Sequence, residues 1–126
     1  MEKVSLQILV VEDDEHLQRQ YKYVLRSAGH RADCTSSSEK AIEMLTGGDF
    51  DVALVDLDLN GKLSGILVAG KSVTDYPQTE IIVITGRANI AYSRDHRKEL
   101  PGASATMLKP IEHGALLAII DKVSSK

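Results

Sequence analysis

The chain has a single cysteine, Cys34. An internal disulfide and a thiolate metal cluster are both excluded, which leaves Cys34 as a small, partly apolar strand residue. Long apolar runs are missing too: a helix that crosses a bilayer needs ~18 such residues, and the longest run extends only from Ala115 to Ile120. Met1-Glu2-Lys3 leads straight into a strand-like run, without the basic region, apolar core and cleavage site of a signal peptide, so a cytoplasmic location is expected. Fifteen Lys and Arg against 18 Asp and Glu give a net charge of -3. With no dense basic stripe along the sequence to offset it, direct nucleic-acid binding is not expected. Internal repeats and low-complexity tracts are also absent. At 126 residues and 43% hydrophobic, the chain fits one domain over residues 1–126 with one core.

What is present is an alternation of short apolar runs and helical periodicity. Leu6 to Val11 reads as a first strand. Leu17, Tyr21, Val24, Leu25 and Ala28 follow at helical spacing, and Gly29 stands where a helix end favours a left-handed residue. Arg31 to Thr35 makes a weak second strand, and Ser36 with Glu39 has the spacing of a capping box before a second helix that ends at Gly47-Gly48. Val52 to Asp56 is a buried-type third strand. Ile66, Ala69, Gly70 and Val73 suggest a third helix, Glu80 to Ile84 a fourth strand, Ala88 to about Leu100 a fourth helix, and Ala103 to Leu108 a weak fifth strand. Leu116, Leu117, Ile120 and Val123 line one face of a last helix.

Five β-α repeats imply an α/β fold, a parallel sheet with helices on both faces. Strands one, three and four are near-continuous apolar runs, as covered central strands should be, whereas the second and fifth are polar enough to be edges. That pattern predicts the flavodoxin-like (βα)5 three-layer sandwich, a five-stranded sheet in the order 2-1-3-4-5, whose sites lie outside the carboxyl ends of the strands.

At those ends stand Glu12 and Asp13 after strand one, Asp56 after strand three, Thr85 after strand four and Lys109 after strand five. Asp14, next in sequence, reads as the cap of the first helix. Three gathered carboxylates repel one another, so either a proton or a cation must sit among them. Oxygen donors without paired His or Cys select Mg²⁺. A carboxylate is also a nucleophile toward phosphorus, and phosphoryl transfer needs chiefly positioning and charge neutralisation. Asp56 would attack, while the Lys109 ammonium and the Thr85 hydroxyl would each meet a phosphoryl oxygen. His16, His30, His96 and His113 are scattered without ligand spacing and read as surface or helix-end residues.

The segments LVVEDD, DVALVDLDL, VITG and LKP, in this order and over essentially the whole chain, resemble the receiver domain of two-component response regulators. The resemblance implies that Asp56 accepts a phosphoryl group from a phosphohistidine on a sensor histidine kinase or a histidine phosphotransfer protein. It further implies a Mg²⁺ site with Asp13 and Asp56 as direct ligands, Glu12 acting through water, and the Asp58 backbone carbonyl completing the set. Thr85 and Lys109 match the family's hydroxyl and lysine, and the Lys109-Pro110 bond is expected to be cis. The resemblance also leaves room for a homodimer through the face of the fourth helix, fifth strand and fifth helix. The chain departs from the family at Thr106, where an aromatic switch residue is usual, and at Asn60, where a proline commonly follows the acceptor. Asp58 and Arg87 hold positions that influence the lifetime of the phosphoryl group, and a pair between them across the site mouth would hinder water.

Two other readings compete. Asp56-Leu57-Asp58 also fits the DxD motif of a haloacid-dehalogenase-like phosphatase, but that family opens on its DxD strand and needs an acidic pair after the lysine, where only Glu112 and Asp121 follow here. The second is a receiver-like docking module with little phosphorylation-driven switching, for which Thr106 is the best support. No output segment follows Lys126, which fits either a stand-alone receiver or a piece of a larger regulator or hybrid kinase.

Overall fold

Short β-branched runs set the sheet, and the computed structural model describes residues 5–47, 50–59, 78–86 and 103–125 of it and its surroundings. The strands are β1 (Gln7–Val11), β2 (Arg31–Thr35), β3 (Val52–Asp56), β4 (Glu80–Thr85) and β5 (Ala105–Leu108). They form one parallel sheet in the order β2-β1-β3-β4-β5. Every residue of β3 is buried, β1 and β4 are buried beyond their first residue, and the two edge strands are only partly covered. The apolar density of the sequence thus gives the correct order because covering helices leave no polar position on a central strand.

Alternation sorts the side chains onto two faces. Ile8, Val10, Val52, Leu54, Ile82 and Ile84 pack with Tyr21 and Leu25 of α1 (Glu15–Ser27) and with Leu116, Ile120 and Val123 of the C-terminal helix (His113–Ser124). Leu9, Val11, Ala53, Val55, Ile81 and Val83 pack on the other face with Ala41 and Leu45 of α2 (Ser38–Gly47). Each fully buried leucine or isoleucine here contributes about 1.5–3 kcal/mol relative to exposure.

Helix ends follow local chemistry. Asp14 caps α1 as expected, its Oδ1 accepting from the backbone N–H of His16 at 2.8 Å and of Leu17 at 3.2 Å. At the other end Gly29 takes φ +93, and the N–H groups of Gly29 and His30 donate to the carbonyls of Arg26 and Leu25, both at 3.0 Å. That left-handed glycine turns the chain into β2.

The cap of α2 falls one residue later than the Ser36–Glu39 spacing predicts. Ser37 Oγ accepts from Lys40 N at 3.1 Å and donates to Glu39 at 3.0 Å, and the Ser37 N–H is turned onto Thr35 Oγ1 at 3.3 Å; the helix begins at Ser38, which makes Ser37 its cap. β5 is shorter than Ala103 to Leu108: Ala103 and Ser104 precede the ladder, although Ser104 N reaches Ile81 O at 2.8 Å. The expected helices around 66–73 and 88–100, with Asn60, Arg87, His96 and the fourth-helix part of the dimer face, lie outside the described residues. His16 and His113 are exposed. Half-buried His30 accepts the Leu6 N–H on Nδ1 at 3.1 Å, so its proton sits on Nε2.

Candidate functional site

The parallel register brings the strand ends to one edge. β1 stops at Val11, and Glu12 turns in beneath the edge with its N–H on Thr35 O at 3.0 Å. β3 stops at Asp56, opposite Ile84 of β4, and Thr85 stands one step beyond Ile84. Leu108 pairs with Thr85, so Lys109 leaves the edge next to it, its N–H on Thr85 O at 2.8 Å. The Lys109-Pro110 bond is cis.

Glu12, Asp56 and Thr85 are the buried polar residues among those described, at 1%, 2% and 0% exposure. A carboxylate is costly to bury without compensation, and the compensation here is Lys109. Its ammonium donates to Glu12 Oε1 and to Asp56 Oδ2, both at 2.9 Å. Asp58 N donates to Asp56 Oδ1 at 2.9 Å, so both acceptor-side oxygens are oriented. Asp14 N reaches Glu12 Oε2 at 3.2 Å, and the Gln18 carboxamide donates to the Glu12 carbonyl.

Negative charge is concentrated here. Glu12, Asp13 and Asp56 each bring a carboxylate oxygen within 4.8 Å of the others, and Lys109 bridges two of them, Glu12 and Asp56. Burial pushes the Glu12 carboxyl up to about 7, with neighbouring Asp56 adding to the shift and Lys109 opposing it. Burial alone would lower Lys109, but its hydrogen bonds to the two carboxylates outweigh that and hold it protonated well above its ordinary value. Tyr21 lies close enough to feel the same charges, and burial pushes its phenol up to about 12. With Leu17, Lys109, Pro110 and Ile111 it lines an open groove of about 370 Å³ beside the acidic cluster.

All the residues singled out at strand ends therefore converge. Sequence spacing did not reveal three parts: the Asp58 N–H that orients Asp56, the bridge from Lys109 back to Glu12, and Tyr21 as a wall. The bridge joins positions 97 residues apart, and no local signal encodes it. The Asp58 N–H did have one, since an Asx turn two residues on is common for aspartate.

An α/β sandwich of this strand order, with an acidic cluster and a lysine at its carboxyl edge, is the receiver class of signalling protein. The model of the response regulator receiver domain matches residues 8–121, and the chain belongs to that family; it is a receiver domain of two-component systems. It is 28% identical over 120 residues to the aerobic respiration control sensor protein ArcB of Escherichia coli, across 94% of this chain and 15% of that protein. Similarity to the sensory/regulatory protein RpfC of Xanthomonas campestris is 27% over 118 residues, across 90% of this chain and 16% of the relative. For the transcriptional regulatory protein TcrA of Mycobacterium tuberculosis the figures are 26%, 97% and 47%. The chain thus spans less than half the length of these relatives. Among solved structures, a CheY-like receiver domain protein of Methanospirillum hungatei superposes with a TM-score of 0.86 at 24% identity, covering 97% of this chain and 95% of that one. The response regulator TrrA of Thermotoga maritima, solved in complex with Mg(2+)-BeF, superposes with a TM-score of 0.81 at 24% identity, over 94% and 98%.

Proposed function

We propose that residues 1–126 form one cytoplasmic receiver domain in which Asp56 accepts a phosphoryl group from the phosphohistidine of a sensor histidine kinase or histidine phosphotransfer protein. The observation that carries this reading is the buried Asp56 carboxylate, held on one oxygen by a backbone N–H and on the other by an ammonium shared with Glu12. An oxygen of Asp56 attacks phosphorus; the new O–P bond forms as the P–N bond to the donor imidazole breaks, its electron pair stays on nitrogen, and that nitrogen takes a proton from water as the neutral imidazole leaves. Lys109 is already at hydrogen-bond distance from the attacking carboxylate, so a small shift of its ammonium places it on a phosphoryl oxygen. Thr85, at the adjoining strand end, offers its hydroxyl to another. The groove walled by Tyr21, Pro110 and Ile111 gives the donor protein an approach that ends at Lys109.

The donor set fits Mg²⁺: three carboxylate oxygens gathered within 4.8 Å, with a Glu12 carboxyl whose burial calls for a further positive charge. Asp13 and Asp56 would hold the ion directly, Glu12 through water, and the Asp58 backbone carbonyl would complete the protein's share. Bound there, it would neutralise the phosphoryl oxygens and lessen the repulsion between donor and carboxylate. The beryllofluoride and magnesium complex of TrrA supports this reading of the pocket.

The alternative of a docking module with little switching draws on one observation: Thr106 Oγ1, at the position of the family's aromatic switch, is buried without a hydrogen-bond partner among the described residues. Intact mass after incubation with acetyl phosphate and Mg²⁺ tests the main proposal. Wild type should gain the mass of one phosphoryl group and Asp56→Asn should not; no gain on wild type, or an equal gain on the variant, overturns it. Amide shifts on phosphorylation that stay within the site, without reaching β5 and the C-terminal helix, would favour the docking reading.

A further inference from the structure

The outer face of α1 is built unlike the rest of this acidic chain. Tyr21, Val24 and Leu25 turn into the core, so Arg19, Lys22, Tyr23 and Arg26, at i, i+3, i+4 and i+7, share the opposite face. They and Ser27 line one shallow depression of about 500 Å³. Tyr23 is 74% exposed and is the one large hydrophobic side chain left in solvent among the described residues. Among the described residues, Arg19 and Lys22 have no ion pair with a carboxylate, and Arg26 is engaged only with the Ala32 carbonyl, at 3.0 Å. An exposed tyrosine ringed by unpaired cations combines two residue types over-represented where binding energy concentrates at protein interfaces.

We propose that this face docks an acidic, partly apolar segment of a partner protein, whose carboxylates meet Arg19 and Lys22 while an apolar side chain covers the Tyr23 ring. The charge on the page selects that occupant. The patch is positive, yet the chain as a whole carries -3, so a long polyanion such as nucleic acid or an anionic membrane would meet repulsion beyond it. A short acidic segment matches its reach of roughly 10 Å along the helix. The face lies on the far side of α1 from Tyr21, the wall of the phosphoryl site, so docking and phosphoryl acceptance are separable.

The probe is a soluble amphipathic peptide with glutamates along one face and leucines beside them, titrated into ¹⁵N-labelled protein. Amide shifts should centre on Arg19–Ser27, and the affinity should fall at least about tenfold in Arg19→Glu/Lys22→Glu and several-fold in Tyr23→Ala. Both variants should accept phosphoryl from acetyl phosphate as wild type does, whatever becomes of the Asp56 reading. The proposal is overturned if the peptide leaves these amides unmoved, if a lysine-for-glutamate twin binds equally, or if the double variant binds like wild type. It is equally overturned if an oligouridylate or phosphatidylglycerol vesicles outcompete the peptide, or if the patch broadens with protein concentration alone, the sign of a second copy.

Discussion

β3 ends on Asp56 and β5 ends one residue before Lys109, yet the two strands are held in opposite ways. β3 lies between β1 and β4 with all five residues buried, and delivers Asp56 from the centre of the core. β5 is an edge of four half-buried residues, and delivers Lys109 from the rim. Asp56 is fixed by packing on both faces of the sheet. Lys109 is fixed by its own two hydrogen bonds. The contrast teaches that a central strand sets a carboxylate's place by packing, while an edge strand leaves a cation to be placed by its partners.

Four substitutions would sharpen or break that contrast. Leu54→Ala, in the fully buried middle of β3, should lower unfolding free energy by about 3 kcal/mol in urea titration. Lys109→Ala should reduce the rate of phosphoryl acceptance from acetyl phosphate by about 100-fold, read by time-resolved intact mass on the fraction that remains folded. Met107→Ala, the half-buried counterpart on β5, should cost about 1 kcal/mol, since less than a full side chain leaves the core; a loss equal to that of Leu54→Ala would erase the distinction between the strands. Thr106→Val keeps the shape and removes an unpartnered buried hydroxyl, so it should raise stability by up to about 1 kcal/mol, seen as a higher urea midpoint.

The same contrast explains what could be read from the sequence. Val52 to Val55 and Ile81 to Ile84 are apolar on every position, so their strands, their central places and the site residues that follow them were legible from burial alone. Edge strands mix polar and apolar residues, and there the reading loosened: β5 begins two residues later than its sequence suggests. The capping residue of α2 was misplaced by one because Ser36, Ser37 and Ser38 are chemically alike, and the bonds of Ser37 to Thr35, Glu39 and Lys40 distinguish it only in the folded chain. The Lys109 bridge to Glu12 depends on folding rather than on spacing. The basic face of α1 was hidden for a related reason: its cations are separated by core residues in the sequence, and only the helical turn assembles them.

Tyr21 carries a practical consequence. The protein has no tryptophan and four tyrosines, so its near-ultraviolet spectrum belongs to phenols. Of the two described, Tyr23 stands in solvent and Tyr21 is 4% exposed within range of the acidic cluster. A charge change at Asp56 therefore falls on a chromophore already in place, and a background with Tyr23, Tyr76 and Tyr92 all changed to Phe would leave Tyr21 as a native optical gauge of site occupancy, without any label.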